Sequence, residues 1–371
     1  RWVFYVNVPI GIIALLIAWA ASSGWETPRR QAGIDIVGAV IWSVALAAGL
    51  GAVTLIGVSD LGGLDPVVVG LVLAGICVLG VLVTIVRGLG RPDPFLDPRL
   101  FRSLTFSSAA LVSLLTGFAF ATAIIGGAVF VDRVLYGGPD DQRLALGALA
   151  AATAVGALVS GFAVRALSLR LVTLLGLLLS AGALVLMSRW SPGVAIASVA
   201  AALGAFGLGF GLTVTPRSTA AVESAGRASF GMASAIVTVS RMIGMAIGVS
   251  VLTAYGSTQI DRLYANLFSA ANPDGWKDVI PAELRDRPLR DGLVVEALEG
   301  WAAREASSIL VGIFLAAGVV TLVAIPPGLA LGGRTRRLST GRATTDAGAA
   351  STAAGGGGPD GRDELEAPIA L

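Results

Sequence analysis

Arg1-Trp2-Val3-Phe4-Tyr5-Val6-Asn7-Val8-Pro9-Ile10-Gly11 opens a run that stays apolar as far as Ala21. A membrane helix needs about 20 such residues, because the hydrocarbon core is about 30 Å thick and a helix rises about 1.5 Å per residue. Trp2, Phe4 and Tyr5 gather at one end, where amphipathic rings sit at headgroup level. Pro9 suits a first helical turn; in a helix that starts near Trp2 it is expected to bend the axis. With the first span at 3–21, similar runs follow at 36–58, 67–87, 105–131, 144–166, 170–188, 193–215, 230–255 and 307–331. In lipid only helices and closed barrels satisfy the backbone, and near-continuous rather than alternating apolar runs select helices. The expected fold class is an all-α polytopic membrane protein with about nine transmembrane helices.

Composition narrows the function classes. The chain is 55% hydrophobic and 13% charged, with mean hydropathy +0.82, too apolar for a soluble protein of 371 residues. It has no histidine and one cysteine, Cys77, inside an apolar run. That removes the usual proton shuttle and zinc ligand, an internal disulfide and a thiolate metal cluster, so no metal and no cofactor is expected. Lys277 is the only lysine among 26 basic residues, and no basic patch is interleaved with aromatics, which argues against a nucleic-acid partner. No Gly-x-x-x-x-Gly-Lys-Ser/Thr loop is present for nucleotide. A membrane enzyme would need convergent acids, histidine or a metal site near one interface. These absences disfavour an enzyme and a nucleotide-driven pump, and the lipid bilayer is the expected partner.

The opening residues, Arg-Trp-Val-Phe-Tyr-Val-Asn-Val-Pro-Ile-Gly, resemble in order and spacing the segment leading into the sixth helix of 14-helix drug:proton antiporters. These are the EmrB/QacA-type branch of the major facilitator superfamily. The resemblance implies a partial major facilitator fold covering about helix 6 to helix 14, with five helices upstream of Arg1, where no Met stands. On this reading 1–21 is the last helix of an N-terminal six-helix half that function requires. Residues 22–103 form an inserted helix pair with cytoplasmic linkers, and 104–331 a C-terminal six-helix bundle with an outer loop at 256–306. The Gly/Ala/Thr-rich stretch 332–371 is expected to be a disordered cytoplasmic tail. The resemblance further implies transport of a small-molecule substrate: proton-coupled multidrug efflux of lipophilic or cationic compounds by alternating access. The alternatives are export of a specific metabolite, lipid or siderophore on the same scaffold, and an inactive truncated fragment.

Charge supplies a topology. Loops on one side carry fourteen arginines, from Arg29 to Arg342 and including Arg217, against four on the other. The positive-inside rule then puts the first residues outside and the tail in the cytoplasm of a plasma-membrane protein. The segment 256–306 carries six basic and nine acidic residues, and Leu293, Val294, Ala297, Leu298 and Trp301 recur in it at helical spacing, as in an amphipathic surface helix.

Within the spans charges are rare, since each costs about 2.5–3.5 kcal/mol at a helix centre. Arg241 lies about 16 Å into its span at 1.5 Å per residue, which marks it as facing a cavity, an acid or a ring of carbonyls. The resembled family has an Arg-x-x-Gly in this helix, matched by Arg241 and Gly244. Asp132 and Arg133 close the span 105–131, either as a solvated pair or as a titratable acid at the mouth of the path. The resemblance puts the main proton-coupling carboxylates upstream. Phe118, Phe120, Phe206 and Phe210 are candidate cavity walls, each equally suited to the core or lipid. Gly204, Gly207, Gly209, Gly211, Gly244 and Gly248 permit close helix packing or gating, with packing favoured.

Overall fold

Five of the long helices start where a short polar side chain caps them. In the computed structural model Asp35 accepts from the Gly38 N–H (3.0 Å) and Asp65 from Val67 (2.9 Å), ahead of α2 (Ile36–Thr54) and α3 (Pro66–Gly90). Ser103 caps α4 (Leu104–Arg133), and Ser168 caps α6 (Leu169–Met187). Asp291 opens α9 (Gly292–Val323), its carboxyl held below the usual range by the Leu293 N–H and by Arg287. The remaining helices are α1 (Trp2–Ser22), α5 (Pro139–Ala166), α7 (Ile196–Ala225), α8 (Phe230–Val251) and the short α10 (Ile325–Ala330). The structure describes residues 2–22, 35–55, 64–91, 94–226, 229–257, 259, 265, 267 and 274–332. Among these there is no strand.

Eight described helices are long and apolar enough to cross a membrane. The ninth expected span is α1, a helix of 21 residues that runs through Pro9 and contains the apolar stretch Gly11–Ala20. Large apolar side chains face outward, among them Trp19, Leu71, Leu158 and Phe162, as a lipid solvent requires. The expected all-α polytopic architecture is thus what the helices form.

Helices α4 to α9 pack into one six-helix bundle, with α7 against both α5 and α6, α8 against α4, and α9 against α4 and α6. The α2–α3 hairpin attaches to it through α2 and α8 and through the linker 94–103. Asp35 organises that attachment. Its side chain is 5% exposed and accepts from Arg91 Nη1 (2.8 Å), Arg87 Nη2 (3.4 Å) and the Phe95 N–H (3.4 Å) as well as from Gly38. The Gly38 N–H first, then Phe95 and the two guanidiniums, hold its carboxyl below the ordinary 3.8. The ties it makes are therefore complete at neutral pH and are lost only as pH falls through that depressed value.

Two sequence expectations change. Pro216, read as the end of a span, lies inside α7, which continues to Ala225. The fixed ring angle fits a helix, and what the proline removes is the bond to the Leu212 carbonyl one turn back. Arg217 is therefore a buried bundle residue and not one of the fourteen loop arginines. The last span starts at Gly292, so Leu293 to Trp301 are the first turns of α9 and not a separate surface helix. Val294 packs there with Leu267, Trp276 and Ile280 in a small apolar cluster. Residues 56–63, between α2 and α3, and the tail 333–371 lie outside the described residues.

Candidate functional site

The bundle has two apolar cores at its two ends, and polar side chains between them. The core at the linker end takes Phe106 and Ala109 from α4, Ala220 and Ala221 from α7, and Ala233 to Val237 from α8. The far core takes Ala119 to Val131 from α4, Leu203, Phe206 and Phe210 from α7, and Leu310 and Phe314 from α9. In the interval sit Ser113, Thr116, Ser160, Thr173, Ser180, Thr213 and Arg217, each no more than 3% exposed. Most serine and threonine hydroxyls here bond a carbonyl one turn back in their own helix, which makes them inexpensive in lipid. Ser160 also reaches Thr215 on α7 at 2.6 Å.

Arg217 is the exception, the largest fully buried side chain among the described residues, 2% exposed. Its Nη1 donates to Thr116 Oγ1, whose own proton goes to the Val112 carbonyl (2.7 Å). Its guanidinium lies over the Phe210 ring, 5.2 Å from the centroid, as cation–π attraction favours. Phe210 stacks in turn on Phe120 (4.4 Å, 28°) and lies parallel to Phe206 (6.4 Å, 19°). The buried stripe Phe206, Phe210, Thr213, Arg217 and Ala220 follows the three-to-four spacing of one helix face, so the face that fills the core also carries the charge.

Arg241 meets the same turn of α4. A methyl group at Gly117, next to Thr116, would strike the Arg241 carbonyl, and one at Gly244 would strike the Leu114 carbonyl. Gly248 lies against Phe118 in the same seam. The side chain of Arg241 is half-buried, its Nε is enclosed with no partner, and it acts electrostatically on Arg217. From the linker-side helix ends, Arg217, Arg241 and Thr116 lie about 12, 16 and 18 Å deep at 1.5 Å per residue. Among the described residues no carboxylate pairs with either guanidinium. The arrangement is a buried cationic belt of hydroxyls and aromatic rings at mid-depth, with the Arg241 Nε–H as a donor left without an acceptor.

The other candidates separate from it. Asp132 and Arg133 pair with each other at 3.2 Å, both more than half exposed, about 24 Å along α4 from Thr116. Phe118 joins Phe120 on the flank of the far core. A methyl group at Gly207 or Gly211 would strike the Leu149 or Thr153 carbonyl of α5, and one at Gly209, on the opposite face, would come within 2.6 Å of Ser180 of α6. Gly204 is looser, since a methyl group there would lie 3.7 Å from the Ala148 carbonyl. Sequence reading missed Arg217, and the signal was the unbroken stripe running past Pro216.

The fold and its belt define an all-α, multi-pass membrane protein. The chain is 31% identical over 344 residues to a triacylglyceride transporter of Mycolicibacterium smegmatis, covering 90% of this chain and 59% of that protein. It is 31% identical over 290 residues to one of Mycolicibacterium hassiacum (73% and 52%). For the triacylglyceride transporter of Mycobacterium tuberculosis the figures are 30% over 297 residues (74% and 55%). The chain thus spans between half and three-fifths of the length of these relatives. A solved bacterial homologue of the human lysosomal transporter Spinster, inward-facing and occupied, aligns at TM-score 0.41 with 15% identity, over 76% of this chain and 66% of that one. No protein-family model matches the chain.

Proposed function

We propose that the chain belongs to a secondary active lipid exporter of the plasma membrane, of the major facilitator type, whose substrate is an acylglycerol. The observation that carries this reading is the similarity to a triacylglyceride transporter across 90% of the chain, belt included. The site chemistry agrees with it. An acylglycerol carries ester carbonyls, which accept hydrogen bonds, and no charge. The enclosed Arg241 Nε is a donor with no acceptor, the Phe120–Phe210 faces suit acyl chains, and both lie at mid-depth. Multidrug efflux of lipophilic cations fits this belt less well, since two neighbouring guanidiniums repel a cationic substrate. Proton coupling on this reading takes its carboxylates from the part of the relatives that lies beyond the aligned stretch.

The test sets the two substrate classes against each other. The full-length gene product is expressed in a host that makes triacylglycerol, and surface triacylglycerol and efflux of a fluorescent lipophilic cation are measured on the same cells. Lipid export without dye efflux is expected. Dye efflux without lipid export would restore the multidrug reading.

A further inference from the structure

An apolar trough runs between the α2–α3 hairpin and α8. Its larger section, about 510 Å³, is lined by Trp42 and Leu46 of α2, Phe95 and Phe101 of the linker, and Met232 and Ile236 of α8, with Val239, Ser240 and Ile243 further along. A second section of about 290 Å³ shares Leu46 and Ile243 and continues past Ile247 to Cys77. From Gly231 to Ile247 the trough follows α8 for about 24 Å at 1.5 Å per residue, most of the hydrocarbon thickness. Ser240 is its one hydroxyl along α8.

We propose that this trough holds one acyl chain of an anionic glycerophospholipid as a bound lipid that joins the hairpin to the bundle. Depth settles the chemistry of the filling: both walls are spans, so the medium beside them is hydrocarbon. Charge settles the headgroup. The mouth lies at the linker, where Phe95 and Phe101 are about 40% exposed and Arg99 and Arg102 on the turn Pro98–Arg102 are both exposed. Arg91 and Arg87 are held by Asp35 and Arg99 donates to the Leu89 carbonyl (3.4 Å), which leaves Arg102 available to a phosphate. The linker is pinned there, with the Asp97 N–H on Met232 Sδ (3.2 Å) and Leu96 buried. Helix geometry separates this lipid from the transported one. At 100° per residue, Met232, Val239 and Ile243 lie on the face of α8 opposite Arg241 and Gly248, so α8 stands between trough and belt.

Native mass spectrometry of the purified, delipidated full-length protein decides the matter. Palmitoyl-oleoyl phosphatidylglycerol, the phosphatidylcholine with the same chains, and triolein are each added in turn. One phosphatidylglycerol should bind saturably, about fivefold or more tighter than phosphatidylcholine, and triolein should not displace it. Ile243→Trp fills the trough and should weaken that binding about tenfold, whereas Leu175→Trp on the exposed face of α6 should not. Arg102→Gln should erase the preference between the two phospholipids. Equal binding of the two phospholipids by the unmodified protein overturns the proposal with no variant needed. Displacement by triolein overturns it too, by assigning the trough to a neutral lipid.

Discussion

At the scale of the residue, Arg217 poses the sharpest question. A guanidinium kept 2% exposed among Phe210, Thr116 and a neighbouring Arg241 contributes little to folding. Inserting it costs about 2.5–3.5 kcal/mol, and one hydroxyl acceptor with one ring returns only part of that. Removing it orphans nothing, because the Thr116 hydroxyl keeps its own bond to Val112. Arg217→Leu is therefore expected to leave folded yield and thermal stability unchanged or raise stability by up to about 3 kcal/mol, while transport per molecule falls at least tenfold. Melting of the solubilised protein beside transport by the same preparation checks both. A destabilised Arg217→Leu with normal turnover would make the residue structural.

Among the elements, α7 depends most on what its residues lack. It is threaded between α5 and α6, with Gly207 and Gly211 on one side and Gly209 on the other. Gly211→Ala would drive a methyl into the Thr153 carbonyl and the Ala157 backbone, and should cost about 1–3 kcal/mol as overpacking. Gly204→Ala meets nothing closer than 3.7 Å and should be neutral or slightly stabilising, since alanine is the better helix former. Thermal melts of the two variants side by side test this, and equal losses would contradict the packing account. The helices themselves were legible in the sequence, because a twenty-residue apolar run in lipid has one structural solution. Their ends were less so. Pro216 reads as a stop in a linear scan, yet a bundle tolerates it when neighbours supply the packing. The α9 extension to Gly292 was hidden because its first turns are amphipathic rather than apolar.

For the whole molecule, the belt between the two cores was only half legible. Arg241 stood out because a charge in a span is rare; its convergence with Arg217 and Thr116 on one turn of α4 is a tertiary fact that no linear pattern encodes. The orientation we propose, linker end in the cytoplasm, still has the arginine count behind it with Arg217 removed. Single cysteines at Arg102 and Glu283, both exposed, in a Cys77→Ala background should report it on intact cells. An impermeant thiol reagent should label Glu283→Cys and spare Arg102→Cys, and the reverse pattern would invert the topology.

The central claim is that acylglycerol crosses along a wall that contains Arg217 and Arg241. It is tested most directly by reconstituting the full-length gene product into liposomes carrying a fluorescent triacylglycerol and following the lipid's transfer to acceptor vesicles. The account predicts transfer by the unmodified protein and a loss of at least tenfold in Arg241→Ala and Arg217→Leu at equal folded protein. Transfer no faster than from protein-free liposomes, or undiminished in both variants, would contradict it.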